Sequence, residues 1–413
     1  MIEISSHSCD SNADFLKWNV WQSLEILALS AVVDKRRGLE YDATNRRAIE
    51  LGGSLMYEEV ARIALGAGTE AVLSRIQPLA SEFAQPLEEL YHRWGEDPAV
   101  AWRWSFDMHL RLVGLRFSQD VWYLAQVQGR PVSAMLLCRS KFCPQLGSIH
   151  RVYTAEPYRR RGLASKLLKL AINDFEASGG QALIISTEHN DSAMSFYEQY
   201  HFVTINESES SRTGNRIAWR ISDGDSPENF LKHLFAPSTA VFMRSSDRAD
   251  VPLLLSLFNA PDNRIVRHYG LQMLGDANIG ADDFFPAFEQ QEGDVAVLTG
   301  LTAASGAIVG WGSIMPPVYP WPNPYYQQHQ LLVDCYLAAG HIEQAPILLN
   351  EMLRQLPANH FANQLIGHVP LDHPALPAAY EQAGFERVGF IPKAYIDPRN
   401  NQGTDIALYL RER

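Results

Sequence analysis

The chain has 413 residues, 46% of them hydrophobic and 20% charged, with a formal net charge of -12. That length allows two or three globular domains, and the acidic balance argues against non-specific nucleic-acid binding while being compatible with a cationic substrate. No apolar run reaches the roughly 18 residues that cross a bilayer, "MIEISSHSCDSNADF" has no signal-peptide pattern, and Cys9, Cys138, Cys143 and Cys335 are too sparse for a disulfide framework, so a cytoplasmic protein with no membrane or nucleic-acid partner is expected.

Residues 1–70 read as a helical extension. "DFLKWNVWQSLEILALSAVVD" places Phe15, Trp18, Val20, Trp21, Leu24, Leu27 and Leu29 close to a 3.6-residue period. A second helix is expected near "SLMYEEVARIALG", ended by Gly66 and Gly68. The pattern then turns to mixed α/β. "EFAQPLEELYHRW" and "AVAWRWSFDMHLRLVGLR" read as helices, and "DVWYLAQVQ" and "PVSAMLLCRS" as a strand pair around a Gly-Arg turn. Cys138 and Cys143 read as buried thiols, and no Cys/His spacing suggests a metal site.

"QLGSIHRVYTA" is a third strand, and it runs into "EPYRRRGLASKLLKL". Three adjacent arginines at a helix start oppose the helix dipole, which favours acids at that end. The free backbone N–H groups of such a start, together with that charge, suit a phosphate. Gly162 allows the backbone to come close to it. The helix "GLASKLLKLAINDFEASGG" carries Leu163, Leu167, Leu170, Ala171 and Phe175 on one face, and Gly179 and Gly180 stop it. Strand "ALIIST", helix "SAMSFYEQY" and strands "FVTIN" and "RIAWRI" complete this region.

The segment Arg159-Arg160-Arg161-Gly162-Leu163-Ala164 resembles the acyl-CoA-binding motif of the GNAT superfamily of N-acetyltransferases, [Gln/Arg]-x-x-Gly-x-[Gly/Ala]. "NDSAMSFYEQYHF" matches a second family pattern, with Asn190, Ala193, Tyr197 and Phe202 in register and His201 in place of the usual Gly. The resemblance covers roughly residues 71–221. It implies that backbone groups of Tyr153, Thr154 and Ala155 pair with the pantetheine arm of acetyl-CoA. It also implies that amides from Arg160 to Ser165 hold the pyrophosphate, that Asn190 contacts the cofactor or fixes the strand splay, and that Tyr197 protonates the leaving thiolate. A phenol suits that role because it keeps its proton at neutral pH yet can pass it to a thiolate. For the base, Glu188 is the named candidate beside His189 and His150, with a water chain as the alternative. No metal is implied.

Residues 222–237 are polar, contain Pro and Gly, and read as a linker. From 238 to 413 the order of elements repeats: strand "AVFMRS", helix "DVPLLLSLF", strands "DVAVLTGLT", "AIVGWGSIM" and "QLLVDCYLA", helix "APILLNEMLRQL", strand "NQLIGHV", helix "ALPAAYEQAGF" and strands "ERVGFI" and "DIALYL". "FYEQYHF" from Phe196 and "AYEQAGF" from Ala379 lie 183 residues apart, as do "VYTA" from Val152 and "CYLA" from Cys335, which predicts an internal duplication. At the same spacing the arginine turn becomes Ile342, Glu343, Gln344 and Ala345, followed by Pro346, so the second copy lacks the charge and one donor a phosphate needs. The expectation is an α/β chain of two tandem GNAT-like domains with mixed, mostly antiparallel splayed sheets, the second degenerate. It would be a monomer or homodimer that acetylates a small primary amine by direct attack in a ternary complex. Tandem members resemble self-resistance enzymes acting on cationic antibiotics. A CoA-binding interaction module and a protein N-acetyltransferase are the competing readings.

Overall fold

The computed structural model describes residues 56–66, 68–77, 81–92, 109, 117–188, 193–205, 215–260, 265–271, 273–276, 279–316, 329–358, 360, 362–397 and 402–413. The helices expected over 14–34 and 99–116 lie outside these residues, apart from His109, which is helical. In the first half, strands β1 (Met56–Gly66), β2 (Thr69–Gln77), β3 (Val121–Val127), β4 (Arg130–Arg139), β5 (Leu146–Thr154), β6 (Ala182–Glu188), β7 (Val203–Thr204) and β8 (Asn215–Ile221) form one sheet. Its order is β1-β2-β3-β4-β5-β6-β8-β7, and β5–β6 is its parallel pair.

The helix expected near "SLMYEEVARIALG" is corrected: Met56–Gly66 is strand β1, paired antiparallel with β2 from Met56↔Gln77 to Gly66↔Thr69. Met, Glu, Ala and Leu favour helix in isolation, but the neighbouring strand supplies cross-strand partners that override that preference. Among them are the ion pairs Arg75–Glu58 at 2.7 Å and Arg62–Glu70 at 3.2 Å.

Two helices cover opposite faces of this sheet. Helix α1 (Ser81–His92) buries Leu87, Leu90 and Tyr91 against Trp122, Leu124, Leu136 and Tyr153. Helix α2 (Leu163–Ala177) buries Leu163, Leu167, Leu168, Ala171, Ile172 and Phe175 on the other face, against Tyr123, Met135 and Leu183. Six such side chains contribute roughly 10 kcal/mol of gross burial, and shortening one, as in Leu167→Ala, would cost about 3 kcal/mol. Helix α3 (Ala193–Glu198) then carries Tyr197.

The segment read as a linker contains helix α4 (Pro227–Leu234), capped by Ser226, whose hydroxyl accepts from Asn229 N at 3.1 Å. Pro227, Leu231 and Leu234 are buried, so this segment is part of the core. The second half forms another sheet from β9 (Val241–Ser245), β12 (Val297–Ala303), β13 (Ile308–Met315), β14 (Gln330–Leu337), β15 (Gln364–Pro370), β16 (Glu386–Asp397) and β17 (Gln402–Glu412). Its order is β16-β17-β15-β14-β13-β12-β9, with β14–β15 parallel, and β10 (Ile265–His268) and β11 (Met273–Asp276) form a separate ribbon. The sheets correspond strand by strand: β2 to β9, β3 to β12, β4 to β13, β5 to β14, β6 to β15, β8 to β17 and β7 to β16.

Helices α5 (Val251–Phe258), α6 (Phe285–Glu292), α7 (Ala345–Gln355) and α8 (Ala375–Gln382) belong to the second half. Every residue of α5, "VPLLLSLF", is buried. A helix apolar on all sides needs cover on all sides. Here one side packs on β13 and another on β5 and β6 of the first sheet, so Leu146, Ile184 and Trp219 share a core with Leu254, Phe258 and Trp311. Gly306 marks how closely the halves meet, because a Cβ there would lie 1.9 Å from the Phe142 carbonyl oxygen.

Candidate active site

The parallel pairing of β5 with β6 stops at Ile149↔Ile185. Beyond it β5 continues to Thr154 and β6 to Glu188, so the two strands part. On its other side β5 pairs with β4 through a bulge: Ala134 faces Tyr153, Leu136 faces His150, and Arg151 and Val152 oppose one residue. Arg151 has φ 56, and its carbonyl accepts the hydroxyl of Tyr91. Ser133 then fixes the strand end. Its hydroxyl donates to Tyr153 O at 3.1 Å and lies 2.7 Å from Thr154 Oγ1, while Ala155 N donates to Val132 O at 2.8 Å. The opening between β5 and β6 thus borders a strand that the bulge has re-aimed.

From Thr154 the chain makes one turn, Glu156–Tyr158, and reaches the arginines. Arg159 Nε donates to Thr154 O at 3.0 Å, and its guanidinium lies over the Tyr153 ring at 5.7 Å. Arg161 lies over Tyr158 at 5.8 Å and donates to Leu65 O at 3.4 Å, so the β1 end supports this turn. Arg159, Arg160, Arg161 and Gly162 are exposed. Gly162, with φ 76, takes the left-handed conformation that a glycine adopts at little cost. No side chain caps α2 and no acid occupies its first turn. The first intrahelical bond runs from Lys166 N to Gly162 O at 3.1 Å, leaving the amides of Leu163, Ala164 and Ser165 directed out of the helix end. An uncapped helix start beside three cations offers the donors and charge that a phosphate needs.

Tyr197 is buried at 7% exposure, edge-on to Phe196 and Phe202. His201 takes φ 62, so the turn after α3 keeps the left-handed form that the matched Gly384 adopts at φ 80. Tyr153–Ala155 and Arg159–Ser165 thus follow one another at the end of β5, and Tyr197 packs in the core cluster that contains Leu163 and Leu167 of α2. Asn190 and His189 lie outside the described residues, and only the backbone of Glu188, the last residue of β6, is described.

Beside His150, the base candidate on β5, residues that sequence reasoning missed complete the face toward the second half. Ser148 Oγ lies 2.5 Å from His150 Nε2, and burial followed by Arg151 pulls the His150 pKa down to about 3. Arg151 pairs with Asp282 of the second half at 2.7 Å. Arg248, also from the second half, donates to His109 Nδ1 at 3.1 Å and pairs with Asp120 at 2.7 Å, both ends of the ion pair being buried. Burial and then Arg248 hold His109 well below the ordinary histidine value. His109, Asp120 and Cys138 bring ligand atoms within 4.8 Å of one another, and the Arg248 guanidinium brings a positive charge to two of them. No local spacing announces Tyr91, Arg151, Asp282 or Arg248, because each arrives from a separate segment.

The corresponding opening in the second sheet is filled. Pairing of β14 with β15 ends at Val333↔Gly367, and the next residues are Asp334 and His368. Asp334 accepts from Tyr269 N and Gly270 N, both at 2.8 Å, and the Tyr269 ring stacks on His368 at 4.1 Å. The Tyr269–Gly270 turn therefore bridges the parting strands. Tyr380, buried at 3% exposure, donates its hydroxyl to Val333 O at 2.7 Å. In place of the arginine turn stands a helical turn, Ala339–Gln344, tied to the chain before β9 by His341 Nε2 to Ala236 O at 3.2 Å and Gln344 Nε2 to Ser238 O at 2.8 Å.

Residues 81–202 match the model of the acetyltransferase (GNAT) family, a span that contains both motifs. No curated protein matches the sequence. Among similar solved structures, an N-acetyltransferase from Staphylococcus aureus Mu50 has 15% identity and a TM-score of 0.34, over 42% of this chain and 99% of that one. A putative acetyltransferase from Salmonella typhimurium with its cofactor acetyl-CoA has 12% identity and a TM-score of 0.35, over 42% and 94%. The spermidine/spermine N-acetyltransferase of Vibrio cholerae has 16% identity and a TM-score of 0.32, over 42% and 95%.

Proposed function

We propose that this chain is an N-acetyltransferase that moves the acetyl group of acetyl-CoA to a primary amine of a small molecule. The observation that carries this reading is one continuous path in the family-matched region. The parting of β5 and β6, the re-aimed Tyr153–Ala155 and the uncapped, arginine-flanked start of α2 follow one another along it. Backbone groups of Tyr153, Thr154 and Ala155 take the pantetheine arm. Amides from Arg160 to Ser165, with Arg159, Arg160 and Arg161, take the pyrophosphate. Asn190 keeps its proposed role at the splay.

The chemistry is direct. The amine nitrogen forms a bond to the acetyl carbon as the carbon–sulfur bond breaks. The amine loses a proton to Glu188 or to solvent, and the departing thiolate takes one from Tyr197. Residues 71–221 form the catalytic domain, and residues 238–413 are a copy of the same fold that has lost its cofactor site and shapes the amine pocket. The acidic chain favours a cationic amine, a metabolite or an antibiotic, in a cytoplasmic enzyme working alone or as a homodimer.

Two measurements test this reading. Calorimetry with acetyl-CoA should show binding by the wild type and a loss of at least about 100-fold in Gly162→Asp, which puts a carboxylate where the pyrophosphate sits. Thiol release with a panel of small amines should then exceed release without amine. A folded Gly162→Asp protein with wild-type affinity would sink the site, and amine-independent release across the panel would sink the reaction.

A further inference from the structure

The second half reaches the bulge in β5 through Asp282. Arg151 holds a left-handed backbone (φ 56) inside that bulge, a conformation that non-glycine residues seldom adopt. Such a residue persists where its surroundings over-determine it. Its carbonyl is held by Tyr91 of α1. Its guanidinium, 8% exposed, is held by Asp282, with Nη2 donating to Oδ1 at 2.7 Å and Nη1 to Oδ2 at 3.4 Å. Two residues later the strand supplies Tyr153.

Asp282 is itself fixed. It lies in the helical turn Ala281–Asp283, where Asp283 accepts from Gly280 N at 2.8 Å. Asn259, at the end of α5, accepts from Ile279 N at 2.9 Å and donates to Ile279 O at 3.0 Å and Leu255 O at 2.8 Å. The turn that carries the half-exposed carboxylate is thereby tied to α5, the helix that packs on both sheets.

We propose that Asp282 is a positioning residue for acetyl-CoA: through Arg151 it sets the aim of the strand that receives the pantetheine arm. This rests on the assignment of Tyr153–Ala155 to that arm. It gives the second half a part in the first half's cofactor site without touching the cofactor. A fork-to-carboxylate contact suits the task because its two bonds fix orientation as well as distance. The α2 start, which holds the phosphates, lies on the far side of the Glu156–Tyr158 turn and is not part of this clamp.

The test uses calorimetry on the full chain with two probes, acetyl-CoA and the phospho-ADP half of coenzyme A, which lacks pantetheine. Asp282→Asn should weaken acetyl-CoA about tenfold, the scale of a small misplacement of a bound group. Its affinity for phospho-ADP should stay at the wild-type value, and Asp282→Glu should recover most of the acetyl-CoA affinity. Unchanged acetyl-CoA affinity in Asp282→Asn, or equal weakening of both probes, overturns the proposal. A wild type that binds neither probe overturns the cofactor site itself, and the wild type alone reveals that case.

Discussion

Tyr197 and Tyr380 lie on matched helices, 183 residues apart, and a change at each is expected to read out differently. The Tyr380 hydroxyl is bound to the Val333 carbonyl, and burial, then Cys335, hold its pKa well above the usual tyrosine value. Tyr380→Phe should therefore leave kcat unchanged and cost about 1 kcal/mol of stability, the worth of one buried hydrogen bond, read by urea unfolding. Tyr197→Phe should lower kcat by about 100-fold if its hydroxyl protonates the thiolate, with the Michaelis constant for acetyl-CoA little changed. Equal kinetic losses at both tyrosines would assign both to packing. The pairing was legible in the sequence because "FYEQY" and "AYEQA" keep the residue, but the hydroxyl's partner was not, since Val333 lies on a distant strand.

Turns decide which opening between parallel strands is available. In the second sheet the Tyr269–Gly270 turn joins Asp334 to His368 across the gap, and the Ala339–Gln344 turn is tied to Ala236 and Ser238. One acetyl-CoA per chain is thus expected in a calorimetric titration, and two equivalent sites would contradict it. That Ile342–Ala345 carries no arginine was legible in the sequence, because charge is a local property of a turn. The sequence could not announce the Tyr269 turn, which lies between the two strands of the short β10–β11 ribbon, some 65 residues from Asp334 along the chain. Helix α2 was readable from its apolar face and its glycine stop. Strand β1 was not, because its helix-favouring residues obey a partner strand that a local pattern cannot see. The linker reading passed over α4, although Pro227, Leu231 and Leu234 keep helical spacing behind the Ser226 cap, because the Gly and acids just before it, with Pro227 itself, carry the stronger turn signal.

At the scale of the whole molecule, the halves meet through a buried charge as well as an apolar core. Arg248 carries its guanidinium from the second half to Asp120 and His109 of the first. Arg248→Ala leaves Asp120 buried without that cation and should cost about 3–5 kcal/mol, lowering the urea midpoint of a single transition. Replacing both partners with apolar residues, Arg248→Met with Asp120→Leu, should recover most of that loss. A cost below about 1 kcal/mol for Arg248→Ala would mean the pair does not join the halves. Division of the chain at 222–237 marks a change of sheet, not of core, and helix α5 gives this a consequence in time. During synthesis Trp219 leaves the ribosome before Val251–Phe258 does, and at about 5–20 residues per second the first sheet waits some seconds with Leu146, Ile184 and Trp219 uncovered. The nascent chain must therefore carry an open apolar face until its own downstream helix arrives, which makes that interval the moment when a chaperone would find it.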